Sequence, residues 1–367
     1  MNKYRLSTIL IILALFLVAC QPVATPQTAA PEDTPALDTP QPAVPATLTV
    51  MTHDSFSASE EIIRQFEQEN NVTISFLLSG DTGSTLNRAI LTRESPMADV
   101  LYGVDNTFLS RALDADIFET YPSPLLAYIP DSFELDDQFR ALPVNYGDVC
   151  INYDRSYFEE NNLAIPQSLQ DLTRPEYRGL LVVQNPATSS PGLAFMLATI
   201  AEFGEDGWID FWRALRANGV VVVNSWETAY YTNFSGSAGR GPQPMVVSYG
   251  SSPPAEVIFA EQPLDEAPTA SITAPNTCFR QIEFSGILRG TQQRELAERF
   301  IDFMLSVPFQ EDIPLQMFVF PVNQQANLPQ AFIDFAQIPD QPATLAPELI
   351  AANRERWMQE WDDTVLR

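Results

Sequence analysis

Residues 47–51 alternate polar and apolar, the period of a half-buried strand, and the spacing then lengthens to that of a helix running to Glu69. Ser57, with Glu60 three positions on, predicts a capping-box start for that helix. A second strand is expected at 72–78, followed by the turn Ser79-Gly80-Asp81-Thr82-Gly83 and a helix through Arg88. A third strand near 99–104 then leads into Asp105-Asn106. This βαβαβ order implies an α/β fold, with a mostly parallel, doubly wound sheet carrying helices on both faces. Sheets of that kind hold ligands beyond the carboxyl ends of their strands, which is where Asp54, Ser55, Asp81 and Asp105 fall.

The middle of the chain restarts the pattern. A strand at 180–183 precedes a Ser/Thr/Pro loop, helices are expected at 192–202 and 208–217, and buried strands at 220–223 and 245–247. After Arg280 the chain returns to the first sheet, with helices at 292–305 and 348–361. It therefore leaves one lobe near Tyr146 and re-enters it near Phe279. Residues 47–146 and 280–367 make the first lobe, and 147–279 the second.

The N-terminus follows a different logic. Lys3 and Arg5 precede an apolar stretch, 6–19, that is short for a membrane span and reads as a signal peptide over 1–20. Leu17-Val18-Ala19-Cys20 resembles the bacterial lipobox, so Cys20 is the expected lipid attachment point, and the lipid is the only expected contact with the membrane. Residues 21–46 are rich in Pro, Ala, Thr and Gln and form a tether that can reach roughly 80 Å when extended. The expected location is the outer face of the cell membrane.

Composition narrows the partners. The chain is 45% hydrophobic and has a formal charge of −27, and loss of Lys3 and Arg5 with the signal makes it more negative still. Such a balance excludes nucleic acid and favours cationic ligands. Of three cysteines, Cys20 is taken by lipid, leaving Cys150 and Cys278 as an even pair in an oxidising compartment, which predicts a disulfide across the two lobe crossings. With a single histidine, His53, metal catalysis is not expected, and no cofactor is implied.

Four loops concentrate the chemistry: Thr52-His53-Asp54-Ser55-Phe56, Asn185 to Gly192, Ser225-Trp226-Glu227-Thr228-Ala229-Tyr230, and Ser248-Tyr249-Gly250-Ser251-Ser252-Pro253. They combine carboxylates, hydroxyls at helix starts, and aromatics. A cation desolvated against an aromatic face gains up to about 2 kcal/mol per ring.

These segments resemble the thiamine-binding periplasmic proteins of ABC importers. The likeness runs from about Leu48 to the C-terminus. It is carried by Asp54-Ser55-Phe56, Asp81 with Leu86-Asn87-Arg88, Asp105-Asn106, Thr188-Ser189-Ser190-Pro191-Gly192-Leu193, Trp226-Glu227-Thr228-Ala229-Tyr230, Ser248-Tyr249, Phe320-Pro321-Val322 and the Trp357 to Trp361 helix. The resemblance implies a two-lobed type II periplasmic-binding fold that closes on thiamine or its phosphates and delivers them to an ABC permease with its ATPase. It assigns ligand contacts to Asp81, Ser189, Ser190, Trp226 and Tyr249, with Thr82, Gly250, Ser251, Ser252 and Pro253 continuing the same loops. His53, beside Asp54, and Phe318 stand where the family carries Tyr and Trp, and Ala255 where it carries Tyr. A monomer is expected.

Two other ligands suit the same fold, ferric ion and a polyamine, and Tyr230-Tyr231 is a phenol pair of the kind ferric-binding relatives use. A secreted hydrolase is the alternative of a different class. No G-x-S-x-G elbow is present to support it, so the chain is not expected to be an enzyme.

Overall fold

A computed structural model describes residues 45–237 and 240–367. The expected signal peptide, Cys20 and all but the end of the tether lie outside the described residues. The first strand, β1 (Ala46–Thr52), begins at the last residue of the expected tether.

The N-terminal elements follow the sequence pattern: α1 (Glu60–Asn70), β2 (Val72–Leu78), α2 (Thr82–Leu91), β3 (Val100–Asp105), α3 (Leu109–Asp114) and the short β4 (Phe118–Glu119). The capping box does not form. The residue preceding α1 is Ser59, which makes no side-chain cap. Its backbone N–H instead donates to Asp312 Oδ2 at 2.8 Å, so a contact more than 250 residues away sets this helix start. The start of α2 is local, because the Asp81 carboxylate accepts from the Thr82 N–H at 2.9 Å. A cap of this kind contributes about 1 kcal/mol.

Next come β5 (Leu142–Asp154), α4 (Arg155–Glu160), β6 (Leu181–Gln184), α5 (Ser190–Ala217), β7 (Val221–Val223), β8 (Met245–Tyr249), α6 (Pro253–Ile258) and β9 (Thr269–Ile272). The two helices expected over 192–217 are the two limbs of α5, broken at Gly204 (φ 69°). The chain ends through β10 (Phe279–Leu288), α7 (Arg294–Leu305), α8 (Val307–Gln316), β11 (Phe320–Pro321), α9 (Gln330–Phe335) and α10 (Pro347–Val365).

The strands form one mixed sheet in the order β2-β1-β3-β10-β5-β8-β6-β7, with β4, β9 and β11 paired at its sides. Parallel pairing holds at each end, β1 with β2 and β3, and β6 with β7 and β8. The centre is antiparallel. The 13-residue β5 pairs with β10 along its first part and with β8 and β9 along its last. Of the two expected crossings, the one near Tyr146 lies inside the continuous strand β5, and the one near Phe279 is where β10 starts. Cys150 and Cys278 are joined there by a disulfide, with their Cα atoms 4.3 Å apart. Closing a loop across 128 residues contributes about 4–5 kcal/mol, mainly by restricting the unfolded chain.

Apolar side chains cover both faces of the sheet. One cluster contains Leu48, Val50, Val100, Phe300 and Phe309. A larger one contains Val183, Phe195, Trp212, Val247 and Trp361. In the latter, Trp212 meets Trp361 edge to face at 5.4 Å, packing α10 on α5. Burial of rings this size anchors the last helix to the middle of the chain.

Candidate functional site

A cleft of about 310 Å³ opens at the carboxyl ends of the strands. The loops after β1 and β2 supply His53, Asp54 and Asp81, and β10 supplies Glu283. These loops are tied together: Asp54 N–H donates to the Gly80 carbonyl at 2.9 Å, and Gly80 N–H donates back to Asp54 Oδ1 at 2.8 Å. The His53 ring lies against β3 where Gly103 takes φ +97°. A Cβ there would approach the imidazole Cδ2 to 2.3 Å, so glycine is required both for the backbone and for the ring.

On the opposite side the segment 228–233 coils into a π-helical turn, which brings Trp226, Glu227 and Tyr231 into the cleft. Trp226 stacks on Tyr230 at 5.0 Å and meets Tyr231 edge-on at 5.5 Å, and its indole N–H donates to Ser248 Oγ at 2.9 Å. Tyr249 projects from the end of β8, and its hydroxyl accepts from Gln281 Nε2 at 3.1 Å. Phe259, Met317 and Phe318 complete the rim. Phe318 sits at φ 55°, and its carbonyl accepts from Ser251 Oγ at 2.6 Å, a bond that holds this turn in place.

Three hydrogen bonds join residues 81–105 to residues 188–226. Trp226 N–H donates to Asp81 Oδ2 at 3.0 Å, Gly83 N–H to the Thr188 carbonyl at 3.0 Å, and Ser190 Oγ to the buried Asp105 carboxylate. The second needs glycine, since a Cβ on Gly83 would lie 2.7 Å from the Ala187 carbonyl oxygen.

Electrostatically the cleft is one-sided. Its lining has four carboxylates (Asp54, Asp81, Glu227 and Glu283), one imidazole, and neither Lys nor Arg. Burial raises the Asp81 carboxyl, against the Ser189 hydroxyl, the N–H donors of Thr82 and Trp226 and the charge of His53. Burial, then repulsion from Asp54 and Asp81, raises Glu227. For Glu283 burial also pushes up, but the charge of His53 with the Asn145 and Tyr102 side chains outweighs it and holds the carboxyl below its ordinary range. Conversely, burial pulls His53 down, and Glu283, Asp81 and Asp54 together raise it. Asp105, behind the wall, is pushed up to about 6 by burial, which the Ser190 and Thr107 donors only partly offset.

Of the residues singled out in the sequence, His53, Asp54, Asp81, Thr82, Ser190, Trp226, Tyr249 and Phe318 line the cleft. Ser189, Gly250, Ser251, Ser252 and Pro253 do not. Gly250 is engaged in backbone bonds to Asp148 and Gln337. Ser251 holds Phe318, Ser252 bonds Ser248 at 2.9 Å, and Pro253 begins α6. Ser189 is fully buried, and its hydroxyl faces the Asp81 carboxylate. These residues support the wall from behind. Ala255 is likewise buried on α6, and Tyr231 presents the ring on that side. The Tyr230 hydroxyl donates to Glu256 at 2.8 Å and is buried, so the phenol pair does not act together in the cleft. Glu283, Phe259 and Met317 were not marked by any local motif. Glu283 is the one acidic residue of β10, and that was the one available signal.

A family model described as bacterial extracellular solute-binding protein matches residues 95–334. The thiamine-binding periplasmic protein of Salmonella typhimurium is 30% identical over 328 residues, 87% of this chain and 94% of that one. Its Escherichia coli counterpart is 29% identical over the same length and shares. A solved periplasmic thiamin binding protein superposes with a TM-score of 0.76 at 27% identity, covering 88% of this chain and 97% of the other.

Proposed function

The chain belongs to the bacterial extracellular solute-binding proteins, in the family of the thiamine-binding periplasmic proteins and with their two-lobed type II fold, and from that premise we propose that it captures thiamine for an ABC importer. The observation that carries the reading is the cleft itself: four carboxylates, no Lys or Arg, and the rings of Trp226, Tyr231, Tyr249 and Phe318. A thiazolium is a permanent cation with a flat apolar face and suits both features. Two or three rings at up to about 2 kcal/mol each, with a carboxylate, account for most of the 8 kcal/mol of a micromolar complex. The aminopyrimidine would donate to Asp81, and the hydroxyethyl or phosphate tail would reach the start of α5 at Ser190, the positive end of that helix dipole.

Capture proceeds by closure. Residues 47–146 with 280–367 form one lobe and 147–279 the other, β5 and β10 bend as the hinge, and the three bonds onto Asp81, Thr188 and Asp105 form when the lobes meet. Ligand that binds the closed form better shifts the population towards it. The closed form docks on the permease, and lipid on Cys20 keeps the protein close to it through the Pro-rich tether. Binding and release, with no chemical step, is the whole of the activity.

Calorimetry with thiamine, its mono- and diphosphate, spermidine and ferric citrate tests the ligand. Thiamine is expected to bind at or below about 1 µM, and the assignment fails if every thiamine form binds more weakly than about 10 µM while another ligand binds more tightly. Membrane retention unchanged by Cys20→Ala would remove the lipid anchor.

A further inference from the structure

Glu283 lies in the middle of β10, opposite Asp105 of β3 and Asn145 of β5, and is only 7% exposed, yet it lines the cleft. One carboxylate oxygen accepts from the Tyr102 hydroxyl at 2.9 Å. The other, Oε1, lies 3.3 Å from His53 Nε2. That approach lacks hydrogen-bond geometry, and the imidazole nitrogen has no other partner among the described residues. Opposite charge at this distance is the larger part of what holds the pair together, and a second cation can take the place of the imidazolium. A buried carboxylate facing a cavity is expensive to leave without a positive partner and favours a cationic visitor.

We infer that Glu283 is the selecting carboxylate of the cleft and His53 its built-in counter-ion, which gives up its proton to solvent when the cation of the ligand arrives beside Glu283. The inference rests on the cationic-ligand reading above and deepens it. Before binding, imidazolium and carboxylate neutralise each other. Afterwards ligand and carboxylate do so, and the neutral imidazole no longer repels the ligand. The exchange leaves the net charge of the site unchanged and makes affinity for a cation rise with pH across the titration of His53.

The other groups facing His53 act in the same direction. Asp54 follows it in the chain, Asp81 lies on the neighbouring loop, and Glu227 stands across the cleft, each favouring positive charge on either the imidazole or the ligand. Tyr102 packs its ring 5.6 Å from the imidazole and directs its hydroxyl to Glu283. Glu283 differs from the three other carboxylates of the cleft in being both the most desolvated and the one that His53 directly opposes.

His53 is the sole histidine, so NMR of the imidazole in a protein carrying no histidine tag reads the exchange from one resonance. In the free wild type it is expected to titrate above 6.5, and saturating thiamine should move the titration down by about one unit or more. Equivalently, thiamine should bind about tenfold tighter near pH 8.5 than near pH 5.5. His53→Gln should flatten that dependence. Glu283→Gln should lower the His53 titration and weaken thiamine about tenfold at alkaline pH while changing the affinity of a neutral thiophene analogue by less than about threefold, a split that a merely structural role would not produce. A His53 titration unmoved by thiamine, or Glu283→Gln binding thiamine as the wild type does, overturns the inference. Should the wild type bind no thiamine form, the ligand reading falls by itself. The same titration with spermidine then decides the exchange, and an unmoved His53 there rejects it.

Discussion

The wall of the cleft that follows β1, β2 and β10 presents His53, Asp54, Asp81 and Glu283, whereas the wall built after β7 and β8 presents Trp226, Tyr231, Tyr249 and Phe259, with Glu227 its one charge. In the first wall, His53, Asp81 and Glu283 are groups whose protonation burial and mutual charge have shifted. The second is made of rings packed on rings, Trp226 on Tyr230 and Tyr231. Charge in a desolvated site discriminates strongly between a cation and its neutral analogue. Ring area adds affinity for any flat ligand and discriminates less. The two walls thus divide selectivity from strength, and neither alone makes a site.

The comparison is broken most severely by keeping the walls apart. Gly83→Val places side-chain atoms against the Ala187 and Thr188 carbonyls and should weaken thiamine by at least about 100-fold, roughly 3 kcal/mol, while the melting temperature without ligand falls little. Gly83→Ala should act in the same direction and raise helix propensity. Wild-type affinity in both variants would show that the walls need not meet there.

Asp105 reports the same junction through stability. Its carboxyl holds its proton more tightly when folded, about 6 against 3.8, so its contribution is complete below pH 3.8 and declines as pH rises to about 6. The decline amounts to roughly 3 kcal/mol. Asp105→Asn should lack it, so urea denaturation near pH 4 and near pH 7 should show the variant gaining on the wild type at the higher pH. Equal shifts in both proteins would assign the pH dependence elsewhere.

Trp226→Ala tests the aromatic wall. It removes the stack and the bond to Ser248 and should weaken thiamine by about 2 kcal/mol, with Trp226→Phe recovering a good part, as calorimetry can resolve. A comparable loss for the neutral thiophene analogue would sharpen the division of labour between the walls. The smallest effect is expected at Glu227, which is exposed. Glu227→Gln should change affinity by about threefold or less, and the difference should vanish in high salt.

Much of the fold was readable locally. The alternation of β1 and β2, the apolar run of β3 and the two limbs of α5 broken at Gly204 follow from side-chain period and punctuation. The capping-box motif at Ser57 and Glu60 failed because a tertiary bond from Asp312 fixes the helix start. Two strands as long as β5 and β10 could not be foreseen, since their residues are buried on both faces and carry no alternation. Within the site, Asp81 and Trp226 were recoverable from their loops. Ser251, in the same loop as Tyr249, turned out to support Phe318 from behind.

By itself, then, the sequence determined the outer strands and most helices, the acidic and aromatic loops at strand ends, and the family. Those are properties of short stretches, set by period and composition. Only the tertiary structure decided which groups share the cleft, because membership depends on pairing partners far apart in the chain. Glu283 reaches His53 only because β10 is inserted antiparallel between β3 and β5, beside strands laid down more than a hundred residues earlier. A one-residue slip in that register would turn the carboxylate to the other face of the sheet, since successive side chains on a strand point in opposite directions.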